Sequence, residues 1–313
     1  MLYLQARHAW NQRSETGFRR ALELYTAATV RDRGAAKAWS GIAECHVLMN
    51  MHGLALPHVC MPQAREAALK AVALDPGLAS AWSALAAVTA LYDRQFESAE
   101  EHWRKALESD PAYATAHHWY ACDGLIPMQR MNQALDEIRE AERLDPLSAP
   151  IANDVGFVLY WNRRFDDAVE QCRKNIALNP GFHRDYILLA RVYAAHGRYR
   201  ESVDTCLKVR QQLDGVSFLP HLLGTLGFAY ASSGNPEGAQ EVLGELRRLE
   251  ARGAVTAHER AVVATALGDW DAAIRDLETA YEQRAGFVVF APVEPLFDAL
   301  RARGLLTDTP AFT

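Results

Sequence analysis

Four prolines, each preceded by Asp or Asn, punctuate the chain at Asp75-Pro76, Asp110-Pro111, Asp145-Pro146 and Asn179-Pro180, spaced 35, 35 and 34 residues apart. Each step follows an Ala-rich amphipathic stretch, such as AREAALKAVAL at 64–74 or AEEHWRKALES at 99–109. Proline lacks a backbone N–H and disfavours helix in the residue before it, so each stretch must stop there. A fixed period of this length belongs to stacked helix pairs and not to a compact catalytic domain. The chain is therefore expected to be all-α, and its function to lie on a surface.

A chain of 313 residues would ordinarily divide into about two domains. Arrays escape that expectation because they grow by stacking. Half the residues are hydrophobic, rich in Ala and Leu, as close helix packing requires. The net charge of −6 is spread without an acidic or basic block. Without a basic stripe, direct nucleic-acid binding is not expected. Cys45, Cys60, Cys122, Cys172 and Cys206 are odd in number and have no metal-type spacing. They read as reduced, mostly buried thiols of a cytoplasmic protein. Residues 1–15 have no apolar h-region, and no stretch approaches the roughly 20 apolar residues of a membrane helix.

Alignment on the prolines gives units at 2–30, 36–76, 79–111, 114–146, 149–180, 183–210, 220–249 and 254–284. Each has a small residue near its eighth position, an aromatic or apolar residue near the eleventh and Ala or Ser near the twentieth. Unit 149–180 carries Gly156 after Val155 on its first helix, Phe165 at the turn and Ala168 on its second helix. Unit 36–76 carries an insertion at 49–62, expected to be a longer loop. Residues 293–306 read as a capping helix, with Leu296, Phe297, Leu300 and Leu305 facing the last repeat.

This pattern resembles the tetratricopeptide repeat. The resemblance implies a right-handed superhelix of about eight helix-turn-helix units plus a C-terminal cap. Residues 3–28, 61–76, 113–121, 137–180 and 294–306 also resemble a narrower group. That group is the repeat region lying C-terminal to winged-helix, serine/threonine kinase or adenylate cyclase domains in bacterial regulators. There the array is implied to sense or recruit while an attached domain gives the output. No such domain precedes Met1, so the chain is expected to be a stand-alone array or an excised region. The two-Asn, two-Lys carboxylate clamp of chaperone-binding arrays is not reproduced.

No phosphate loop, His-Glu-x-x-His or Gly-x-Ser-x-Gly motif is present, so no enzyme, cofactor or metal is expected. HHWY at 117–120 reads as repeat packing, and the Met- and His-rich 49–62 as gap filling. The resemblance implies a concave groove lined by the first helix of each unit. Its positions give His118, Cys122, Asn153, Phe157, Tyr160, Trp161, Arg184, Arg191, His221 and Phe228. Aromatics beside arginines are the composition of binding hot spots. The reading is a non-enzymatic scaffold that binds a peptide or protein segment, and a homo-oligomer is compatible with it. The alternative is a small-molecule sensor using the same groove. On the first reading, Trp161→Ala or Arg191→Ala is expected to weaken binding without unfolding the array.

Overall fold

The computed structural model describes residues 1–213 and 218–306, and among them there is no strand. Eight helix pairs follow one another. They are α1 (Leu2–Asn11) with α2 (Glu15–Arg31), α3 (Ala36–Met51) with α4 (Pro57–Leu74), and α5 (Ala79–Val88) with α6 (Phe96–Ser109). Next come α7 (Ala114–Trp119) with α8 (Met131–Leu144), α9 (Ala149–Trp161) with α10 (Phe165–Leu178), and α11 (His183–Ala195) with α12 (Tyr199–Arg210). The last pairs are α13 (Leu219–Ser232) with α14 (Pro236–Glu250) and α15 (Ala257–Leu267) with α16 (Trp270–Glu282). Helices α5 and α7 run on as π-helical turns, Thr89–Asp93 and Tyr120–Leu125.

Two kinds of turn produce the period. Between pairs, the Asp or Asn carbonyl accepts from the amide three residues on: Leu78 N–H to Asp75 at 3.1 Å, Tyr113 to Asp110 at 3.1 Å, Ser148 to Asp145 at 3.2 Å and Phe182 to Asn179 at 3.0 Å. Proline at the second position presets these tight turns. Within pairs, the first helix ends on a left-handed residue: Arg13, Gly53, Arg94, Gln129, Arg163, Gly197, Gly234 and Gly268. The amide after that residue reaches back into the last helical turn, as from Arg164 to Leu159 at 3.0 Å and Arg198 to Tyr193 at 2.8 Å. This is the left-handed helix stop that glycine adopts without strain.

The insertion at 49–62 is mostly helix. Only 52–56 connect α3 to α4, and Pro57 occupies the first turn of α4, where a missing N–H costs nothing. Cys60 and Met61 are buried in the helix. The expected long loop is absent because α3 and α4 are simply long, at 16 and 18 residues.

Close packing between pairs depends on small residues. A Cβ at Gly41 would collide with the buried ring of Tyr25 in the preceding repeat. Gly41→Ala is expected to lower stability by about 1–3 kcal/mol through overpacking. Gly77→Ala should be near neutral, since its Cβ meets nothing closer than Asp75 Oδ1 at 3.5 Å. Thermal melts followed by circular dichroism compare the two.

Candidate functional site

The first helix of each pair is buried on nearly every side; α9 buries nine of its thirteen residues. A helix so enclosed can hold a polar side chain only with a partner. Yet these helices carry Glu44, Asp154, Asp185 and Glu259, all buried. Each carboxylate meets a group from another repeat. Glu44 accepts from Arg7 at 2.6 Å and from the Tyr113 hydroxyl at 2.7 Å. Asp154 bonds His118 at 2.6 Å and Arg184 at 3.0 Å. Asp185 accepts from Asn153 at 2.9 Å and Asn175 at 3.1 Å. Glu259 bonds His221 and, at 2.9 Å, His258. A Cβ at Gly224 would strike the Glu259 carboxylate, so that position must be glycine or move.

The inner face of these helices is covered by the chain's own C-terminus. Beyond α16, 3₁₀ turns at Gly286–Phe290 and Pro295–Phe297 lead to the four-residue α17 (Asp298–Arg301). Val289 and Phe290 join the same core as residues of α1 to α11. Phe290 stacks on Trp161, with ring centroids 5.1 Å apart and planes 24° from parallel, and meets Phe157 edge-on. Phe287 contacts His221 at 4.0 Å. Glu294, 1% exposed, accepts from Tyr160 and from Arg191 at 2.7 Å. Leu296, Phe297 and Leu300 pack against α15 and α16, and also against Ala194 of α11. The cap thus folds inward over the first helices, with a short helix in place of one spanning 293–306.

The C-terminal region is also tied to the third and fifth repeats. Arg94 donates to the Tyr281 carbonyl and stacks on its ring, while Arg284 does the same to Tyr92. Arg163 grips Asp298 through two bonds of 2.6 and 2.7 Å.

The ten sequence-derived groove residues fall into two groups and an outlier. Phe157, Tyr160, Trp161, Arg191 and His221 touch the 286–297 segment directly. His118, Cys122, Asn153 and Arg184 lie around Asp154 and Asp185. Phe228 stands apart, near Tyr199, on a cleft of about 560 Å³ beside Trp270 and Arg303. Trp161 is 3% exposed and Arg191 is bonded to Glu294, so alanine at either costs stability; for Trp161 the expected loss is about 3–5 kcal/mol. The expectation that these two substitutions spare the fold is therefore revised. Glu294, Phe287 and Phe290 were not singled out from the sequence. Their signal is the apolar run Phe287-Val288-Val289-Phe290, which lies outside every repeat.

The electrostatics follow from burial and pairing. Burial opposes ionisation of Glu259, but His221 and His258 overcome it and hold the carboxyl well below its usual range. Asp154 is also lowered, against its burial, by Arg184 and His118. At Asp123 the charge of Arg184 is too weak to offset burial. Burial, reinforced by the charge on Asp154, pushes it up to about 8. The ligand atoms of His118, Cys122 and Asp154 lie within 4.8 Å of one another. They could reach one cation, but Arg184 is already bonded to Asp154, and burial raises the Cys122 thiol well above its ordinary range. A cleft of about 420 Å³ between Arg7, Lys37, Glu44 and Tyr113 stays open at the N-terminal repeats. A group with a raised folded pKa stabilises most below its unfolded pKa and loses that contribution as pH rises through the folded value. Asp123 therefore weakens the fold between about pH 4 and pH 8. Thermal melts at about pH 6 and 8.5 should show a smaller fall in Asp123→Asn than in the native chain.

No protein-family model matches the chain. It is 25% identical over 169 residues to the transcriptional regulator HilA of Salmonella paratyphi A, a match covering 54% of this chain and 30% of the regulator. The chain thus spans less than a third of that relative. Among solved structures, it superposes on the APC/C Cut9–Hcn1 hetero-tetramer with a TM-score of 0.68 at 15% identity, covering 99% of this chain and 55% of that one. It superposes on a tetratricopeptide repeat protein from Parabacteroides merdae with a TM-score of 0.55 at 13% identity, covering 85% and 98%. At these identities the likeness concerns the fold, and it agrees with the paired helices, their turns and their period: the chain is a tetratricopeptide-repeat solenoid.

Proposed function

We propose that the chain is a non-enzymatic interaction module, the sensing or recruiting part of a bacterial regulator in the cytoplasm. Its inner face binds a short protein segment. One observation carries this reading: the face already holds such a segment, the chain's own residues 286–297. Phe290 fills the aromatic slot between Phe157 and Trp161, and Glu294 binds Arg191 and Tyr160. An aromatic anchor and a desolvated charge pair are the features that dominate binding energy. A partner segment with a comparable aromatic and acidic residue would compete for the same contacts. Exchange of this segment between two copies would give a homo-oligomer. The likeness to HilA supports a regulatory setting, and the net charge of −6 supports a protein partner over direct nucleic acid. The alternative, a small-molecule sensor, is supported by a cavity of about 270 Å³ lined by Arg13 and Arg184.

The test uses a fluorescent peptide of residues 285–299 and the full chain. In a Phe290→Ala/Glu294→Gln variant the resident segment is loosened, so the face is open more of the time. The peptide should bind this variant roughly tenfold more tightly than the native chain, because apparent affinity scales with the open fraction. If the double variant unfolds, Asp298→Asn, which loosens the surface contacts to Arg163 and Arg301, provides the same comparison. A folded variant that binds the peptide no better than the native chain overturns the reading.

A further inference from the structure

Three of the left-handed residues that end first helices are arginines, Arg13, Arg94 and Arg163, where glycine would be unstrained. Two of them have evident work. Arg94 reaches the Tyr281 carbonyl and Arg163 the Asp298 carboxylate, and both tie down the C-terminus. Arg13 has the same backbone conformation and no carboxylate among the described residues. It rests over the Trp10 ring at 3.6 Å and faces a cavity of about 270 Å³ between the first and sixth repeats.

Two guanidinium groups, Arg13 and Arg184, line that cavity. Arg184 lies over the Phe218 ring at 5.1 Å and gives one N–H to Asp154, and buried His52, held neutral by burial, and half-buried His183 complete the lining. Gly181 and Phe182, which precede α11, and His183 and Arg184, which begin it, bring the positive end of that helix to the cavity, and its N-cap Phe182 makes no side-chain bond. The acids nearby are committed. Glu15 is held by Arg19 at 2.8 Å, and Asp154 is shared between Arg184 and His118. Asp123, raised by burial, supplies little negative charge at neutral pH. Burial, with Arg184 beside it, lowers Arg13 to about 9 despite the more distant Glu44 and Asp154.

We infer that this cavity is a binding site for a small oxyanion, a carboxylate or phosphate group held between the guanidinium groups of Arg13 and Arg184. Two planar forks across one pocket suit either anion, since each accepts paired N–H bonds. The inference does not rest on the role proposed for residues 286–297, and none of those residues lines the cavity.

The experiment titrates the full chain with sodium phosphate and with sodium succinate, using sodium chloride at matched ionic strength as the third arm. Melting temperature and calorimetric binding are both read. At least one oxyanion should raise the melting temperature beyond the chloride arm, as a ligand of the folded state must. Whichever does so identifies the anion class. Arg13→Gln should weaken that binding roughly tenfold or more, the scale of a lost charged hydrogen bond. Arg13→Lys should retain part of it, which separates loss of charge from loss of fold. Arg20→Gln makes the same charge change on the exposed face of α2 and should leave binding intact. Neither oxyanion exceeding chloride, or Arg13→Gln binding as tightly as the native chain, overturns the inference.

Discussion

The Glu294 carboxylate, buried almost completely, depends on Arg191 and Tyr160 for its place inside the superhelix. A carboxylate moved there alone would lose several kcal/mol of hydration. Arg191 answers with a guanidinium that stays charged despite burial, held up by Glu294, Tyr160 and Glu259. The same carboxylate also accepts the Leu296 amide at 3.1 Å, which turns the chain toward α15. Around this point the segment drops Phe290 onto Trp161 on one side and Leu296 and Phe297 onto the last repeat on the other. The interaction links the fifth, sixth and eighth repeats, so the C-terminal segment ties together units that a plain row would leave apart.

The buried acids of the first helices extend this pattern along the chain. Glu44, Asp154, Asp185 and Glu259 each bond to a side chain from another helix. Such pairs add little net stability compared with apolar packing. Their consequence is register: a repeat displaced along its neighbour would leave a buried charge without its partner. Apolar contact supplies the adhesion between repeats, and the polar line restricts how they fit.

The left-handed turns show the local sequence serving two ends. Four of the eight first helices end on glycine, which meets only the backbone demand. Arg94 and Arg163 accept the conformational cost and use a long side chain to reach elements far along the chain. Both tether the C-terminal segment, one near its start and one near its end. Arg13 shares their geometry without their partners.

The positions of the helices were legible in the sequence because their causes are local. Proline after Asp or Asn makes the turn between pairs, and small residues at fixed places admit the neighbouring helix. The candidate groove was legible only as a face. Phe157, Trp161 and Arg191 do sit on the inner side of the first helices, but nothing in their spacing shows that residues more than a hundred positions away would cover them. Tyr160 and Glu294 are 134 residues apart, and no periodic pattern encodes such a contact. The insertion at 49–62 was misjudged for a related reason: Pro57 can begin a helix as readily as end one. By itself, then, the sequence determined eight helix pairs and where each turns. Only the tertiary structure decided what fills the space they enclose, because that choice depends on burial and charge pairing between distant residues.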